Sequence, residues 1–132
     1  MIKKELLVTK PALKAIYEKI GQEEGLGRIV SDFYQRMSQD VLIGFFFMER
    51  DLEHIAEMQK QFLMKAMGAS PVYRGRLPAH AHEKLPPILK GHFDRRLILL
   101  EQTLRDHGLT EDDIKVWVEF ENAFRSVVEK SA

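Results

Sequence analysis

His80 and His82 stand two residues apart in RLPAHAHEKLPP, residues 76–87, a segment bracketed by Pro78 and Pro86. Imidazole suits metal binding and proton transfer near neutral pH. On a helix, two residues span about 200° around the axis, so the two rings face nearly opposite ways and cannot grip one ion together. One of them is left to act alone. Cysteine is absent, so disulfides and thiolate ligands are excluded, and any metal must be held by His, by carboxylate or through a cofactor.

Two further residues interrupt an apolar pattern. In DLEHIAEMQKQFLMKAMG, at about 100° per residue, Leu52, Ile55, Phe62, Leu63 and Ala66 share one helical face. Gln59 projects from the middle of that face, about 40° from Ile55. Burying its amide without a partner costs about 1–3 kcal/mol, so it either bonds a backbone carbonyl or Tyr34, or faces something polar in the core. Tyr34 sits at the edge of an apolar helix face, a place that fits both ordinary core packing and a phenol aimed at a ligand. His54 falls off the buried face, His92 precedes a helical run, and His107 stands beside a helix C-terminus; all three read as solvated. No Ser/His/Asp spacing, HExxH, phosphate loop or paired zinc motif is found, and GQEEGLG follows no strand.

The elements that must position these residues are helices. TKPALKAIYEKIG carries Leu13, Ile16, Tyr17 and Ile20 at i, i+3, i+4 and i+7, with Thr9 and Pro11 as start signals and Gly21 as the stop. A longer helix follows with Leu26, Ile29, Val30, Phe33, Tyr34 and Met37, weakened in its first turn by Gly25 and Gly27. Phe45, Phe46 and Phe47 follow Gly44 as a compact corner pressed onto a core. A third helix runs from the N-cap Asp51 to Gly68. The histidine segment has room for one or two turns before Pro86 and Pro87. A fourth helix then places Leu89, Phe93, Leu97, Leu100 and Leu104 inward and stops at Gly108. Thr110 with Asp113 resembles a capping box for a last helix bearing Ile114, Trp117, Val118, Phe120, Phe124 and Val127. The fold class is all-α, about five helices plus a very short one.

The 132 residues, 45% hydrophobic and 30% charged, suffice for one domain with a real core but hardly for two. Twenty Lys and Arg balance twenty Asp and Glu, so no basic field exists to recruit nucleic acid or an anionic membrane. No signal h-region or membrane-length apolar run is found, and the expectation is a cytoplasmic protein.

The segments IYEKIGQEEGLGRIVSDFYQRM, FFF, MQKQFLMKAMG, VYRGR…AHAH and GHFDRRL resemble the truncated hemoglobins, in order and with similar gaps, from Ile16 to about Phe124. The resemblance implies a single globin-like domain over residues 1–132, with 1–10 as an N-terminal extension, folded as a two-over-two helical sandwich around heme b. The tyrosine of the family's FY pair is Tyr34, a distal hydrogen-bond donor. Phe47 matches the phenylalanine that packs on the heme, with Phe46 beside it, and the adjacent Phe45 leaves that register open by one place. Gln59 matches the distal-helix glutamine, and Ile55 the site where longer globins place a distal histidine. His82 lies nine residues after Tyr73 and opens HEKLPP, which resembles the family's ligand followed by Leu-Pro. His82 is thereby the implied iron ligand, with His80 the alternative and Tyr73 directed at a heme propionate.

Two departures concern loops, since the family's double glycines appear as Gly21-Gln22 and Gly68-Ala69. Tyrosine, glutamine and an apolar distal site resemble the first group of the family, although LPP…HFDRR is similar to the other groups, whose tryptophan in the penultimate helix is missing. The implied ligands are O2, NO and CO, and the implied functions are oxygen binding or transport, or nitric oxide dioxygenation supported by a reductase. Heme-based gas sensing or peroxidase-like chemistry is the alternative. A cofactor-free helical interaction module is the alternative of another class, which an absorption spectrum separates from the rest.

Overall fold

In the computed structural model of the protein, residues 11–69 and 86–128 are described, the side chain of Val127 excepted. Helix α1 spans Pro11–Lys19 and buries Leu13, Ile16 and Tyr17, the i, i+3, i+4 face expected from the sequence. Its chain leaves through Gly21 at φ 98° and Gln22 at φ 58°. The left-handed geometry of a glycine pair is thus kept although the second residue carries a side chain. Helix α2, Gln22–Gln39, starts at once. A Cβ on Gly25 would lie 1.7 Å from the Ile20 carbonyl oxygen, so the glycine that weakens this turn is what lets α2 start so close against the end of α1.

The three phenylalanines form a 3-10 turn, Gly44–Phe47, rather than an irregular corner. Gly44 fits it because a Cβ there would lie 2.7 Å from the Ser38 carbonyl oxygen. Asp40 ties the corner down: its carboxylate accepts from Leu42 N–H (3.0 Å), Ile43 N–H (3.2 Å), Arg95 Nε (2.9 Å) and Arg95 Nη2 (2.8 Å). Helix α3, Leu52–Ala66, is capped by Asp51, which accepts from His54 N–H, and the chain leaves it through Gly68 at φ 81°.

Helix α4, Lys90–Asp106, begins a short step after the prolines, so Leu89 is its N-cap instead of its first inward residue. Phe93, Leu99, Leu100, Thr103 and Leu104 are buried along it, Leu97 is half-buried, and Gly108 turns the chain at φ 86°. Helix α5, Glu111–Asn122, is capped by Thr110, whose Oγ1 accepts from Asp113 N–H at 3.2 Å. After a break at Ala123 and Phe124, a short helix α6, Arg125–Val128, closes the described chain.

Two helix pairs make the body: α2 packs most extensively on α3, and α4 packs on both α2 and α5. Helix α1 touches α2 and α5. The core between them is apolar and aromatic, with Trp117, Leu13, Ile16, Leu26, Leu63 and Leu104 fully buried. Among the described residues there is no strand, and no helix is long and apolar enough to cross a membrane.

Candidate functional site

Tyr34 is buried on α2, one turn after Val30, and meets two aromatic rings edge-on. Phe33 lies 5.6 Å away at 71°, and Phe47 5.8 Å away at 87°. The corner turn divides its phenylalanines by this contact. Phe47, half-buried, faces Tyr34; Phe46 is buried and faces His92 at 5.1 Å; Phe45 stacks on Phe46 at 4.1 Å and is 44% exposed. Burial of the phenol pushes its pKa up, with Arg96 opposing and Glu121 adding to the rise, so Tyr34 carries its proton at neutral pH.

The apolar stripe of α3 is covered unevenly. Its C-terminal half, Phe62, Leu63 and Ala66, is buried, while Leu52, Ile55, Ala56 and Gln59 are half-buried. Ile55 and Gln59 stand one turn apart, so the amide faces the same side as the apolar residue. Among the described residues the half-buried Gln59 amide has no hydrogen-bond partner, Tyr34 and the described backbone carbonyls included. Tyr73, His80 and His82 lie outside the described residues.

The remaining histidines correct one expectation. His54 is exposed, as its helical position predicts. His107 stands beside the α4 terminus and meets Asp32 through Nε2 at 2.8 Å. His92, expected to be solvated before the helix, is instead half-buried in its first turn. Its Nδ1 accepts from Leu89 N–H at 3.0 Å, satisfying one of the donors a helix start leaves open, and its ring packs on Phe45 and Phe46.

One polar cluster escaped the sequence reading. Arg96 projects from α4 and pairs with Glu121 of α5, Nη1 to Oε1 at 2.5 Å. The indole Nε1 of Trp117 donates to the other Glu121 oxygen at 2.9 Å. The arginine side chain is 20% exposed and the glutamate 5%. The guanidinium lies 5.0 Å above the ring of Phe33, the residue before Tyr34. Burial works against the arginine charge, but Glu121 and Tyr34 outweigh it and raise the pKa. A signal was present: Phe93, Arg96 and Leu100 fall at i, i+3 and i+7, and Trp117, Glu121 and Phe124 at i, i+4 and i+7. Two opposite charges therefore stand within apolar stripes of neighbouring helices.

Comparison with known proteins places this geometry. Residues 15–130 match the family model of the bacterial-like globins. The chain is 36% identical over 103 residues to the Group 1 truncated hemoglobin GlbN of Synechocystis sp., covering 76% of this chain and 83% of that one. It is 31% identical over 98 residues to the Group 1 truncated hemoglobin of Tetrahymena pyriformis, covering 74% of this chain and 80% of that one. The crystal structure of the Tetrahymena pyriformis truncated hemoglobin in its Fe(III) form superposes with a TM-score of 0.80 at 28% identity, over 88% of this chain and 98% of that one. The 2/2 hemoglobin of Synechococcus sp. PCC 7002, in the cyanomet state with covalently attached heme, gives 0.75 at 25% identity, over 85% and 96%.

The chain belongs to the bacterial-like globin family, and within it to the first group of truncated hemoglobins. Its two helix pairs are the two-over-two sandwich of that fold. Membership implies heme and the binding of diatomic gases.

Proposed function

We propose that the chain would hold heme b through His82 and that it binds O2 reversibly between Tyr34 and Gln59. Ile55 supplies an apolar wall, Phe47 packs on the macrocycle, and Tyr73 meets a propionate. The residues present fit such a group: the half-covered start of α3, the half-buried Phe47 and the buried phenol beside it combine apolar surface with two donors. When bound, heme would supply the iron that takes the gas. Tyr34 holds its proton on Oη, and Gln59 holds two on Nε2, where an acceptor in that position would need them. Leu52, Ile55 and Ala56, half-buried against the core, add apolar surface along the same stretch of α3.

The observation that carries this reading is the Gln59 amide, set in the apolar stripe beside Ile55 with no partner among the described residues. Half-buried there, the amide keeps its donors free for an acceptor that settles between it and Tyr34. Oxygen held in this way serves oxygen binding or transport, or the oxidation of nitric oxide to nitrate with an external reductase restoring the ferrous state. An absorption spectrum of the purified protein, followed by mixing its oxygenated form with nitric oxide, tests both levels. A strong heme band and rapid loss of the oxygenated spectrum with nitrate formed support dioxygenation. A heme band with no nitrate leaves oxygen binding alone, and no heme band overturns the reading.

A further inference from the structure

Among the described residues, His92 is the histidine set among aromatic rings, its centroid 5.5 Å from that of Phe45 and 5.1 Å from that of Phe46. Its Nδ1 accepts from Leu89 N–H at 3.0 Å and so closes the open start of α4. Glu or Gln ordinarily fills this third helical position and reaches back in the same way. The ring therefore joins two segments that the proposed heme site draws on. One is the corner that ends in Phe47; the other is the chain that leads from His82 through Pro86 and Pro87 into α4.

A neutral imidazole has one acceptor nitrogen, and here it is Nδ1, so the bond from Leu89 requires the neutral ring with its proton on Nε2. A second proton can go only to Nδ1, where it sets one donor against another and breaks the bond. The resulting cation also stands at the positive end of the helix dipole. The surrounding charges are engaged elsewhere. Asp40, from the corner, is held by Arg95; on α4, Lys90 pairs with Asp94, which Arg125 of α6 also takes, and Arg96 pairs with Glu121 of α5. Among the described residues no carboxylate pairs with the His92 ring. We infer that His92 is an acid-sensitive latch between α4 and the phenylalanine corner: closed while the ring is neutral, open once Nδ1 takes a proton, with heme held less tightly in the open state. Its bearing on heme rests on the proposed function; the latch itself does not.

His92→Gln keeps an acceptor for Leu89 N–H but does not titrate, whereas His92→Phe keeps a ring and loses the acceptor. Hydrogen-exchange protection of the Leu89 amide, corrected for intrinsic rates and read by NMR at pH 7.5 and 5.5, follows the latch without any heme. Imidazoles are the side chains that ordinarily titrate between those values, and His54, His80, His82 and His107 are common to all three proteins. Protection in the wild-type protein falls about fivefold in acid, the loss of one backbone hydrogen bond. In His92→Gln it stays level, and in His92→Phe it is low at both pH values. Transfer of heme from the ferric protein to excess apomyoglobin reads the consequence. Wild type and His92→Gln match at pH 7.5, and at pH 5.5 the wild type loses heme about fivefold faster than His92→Gln. Level protection in the wild type, an equal fall in His92→Gln, or heme transfer equally pH-dependent in those two proteins would overturn the inference. A protein that takes up no heme yet loses Leu89 protection in acid supports the latch and overturns the proposed function instead.

Discussion

Tyr34 and Phe47 meet edge to face, ring centroids 5.8 Å apart at 87°, and so join the middle of α2 to the corner that follows it. The contact chooses among three consecutive phenylalanines. Their unequal burial sets a first prediction. Phe46→Ala removes a buried ring and costs about 3–5 kcal/mol, whereas Phe45→Ala, at a 44% exposed site, costs under about 1 kcal/mol. Denaturant unfolding of the purified variants measures both, and equal costs would mean the corner is packed differently.

The corner is also pinned electrostatically. Hydrogen bonding from Arg95 outweighs burial and lowers the Asp40 carboxyl below the ordinary carboxylate range. A group with a lowered folded pKa stabilises fully above its unfolded value of about 3.9, and the contribution fades as pH falls through the folded value. Asp40→Asn should therefore cost about 1–2 kcal/mol near pH 7 and progressively less as the pH falls below about 4. Unfolding curves at pH 7 and pH 3 check it; a gap between the two proteins that does not narrow in acid would contradict the assignment.

Gln22 holds φ 58°, a conformation that costs a residue with a Cβ about 1 kcal/mol and a glycine nearly nothing. Its amide does reach Glu18 at 2.8 Å, but that bond is exposed and contributes little. Gln22→Gly should raise stability by about 1 kcal/mol, read as a higher midpoint in urea. At Gly68–Ala69 the glycine alone takes the positive φ, so Ala69→Gly should bring no such gain.

For the proximal side, His82→Ala should weaken heme retention or change the axial ligation, while His80→Ala leaves the ferrous spectrum untouched. The ground is the family spacing and the offset of about 200° between side chains two apart on a helix. Resonance Raman of the iron–histidine stretch distinguishes them, and its loss in His80→Ala would move the ligand by two residues.

The helices were legible in the sequence because their apolar residues recur at helical spacing between strong caps. Asp51, Thr110, Gly68 and Gly108 all act where their chemistry predicts. Gly25 and Gly44 were legible only as weak points, since what each avoids, the Ile20 or Ser38 carbonyl, is set by how the chain turns in space. His92 was misplaced because a side chain reaching back to Leu89 N–H is indistinguishable in sequence from a solvated one. Tyr34 and Gln59 stood out as polar groups on apolar faces. Arg96 and Glu121 gave the same signal, but their pairing depends on the register between α4 and α5, which periodicity within either helix does not contain.

The central claim is that Tyr34 and Gln59 together hold the gas, and stopped-flow displacement of O2 by CO tests it most directly. O2 accepts hydrogen bonds far better than CO in the same position, so donors should separate the two. Losing a hydrogen bond of about 1.5–3 kcal/mol should speed O2 release from Tyr34→Phe by about 10- to 150-fold, with CO release changed far less. Gln59→Leu should also speed it, and the double variant should fall short of the two effects combined, because both residues serve one ligand. An O2 release rate unchanged in Tyr34→Phe would contradict the distal assignment.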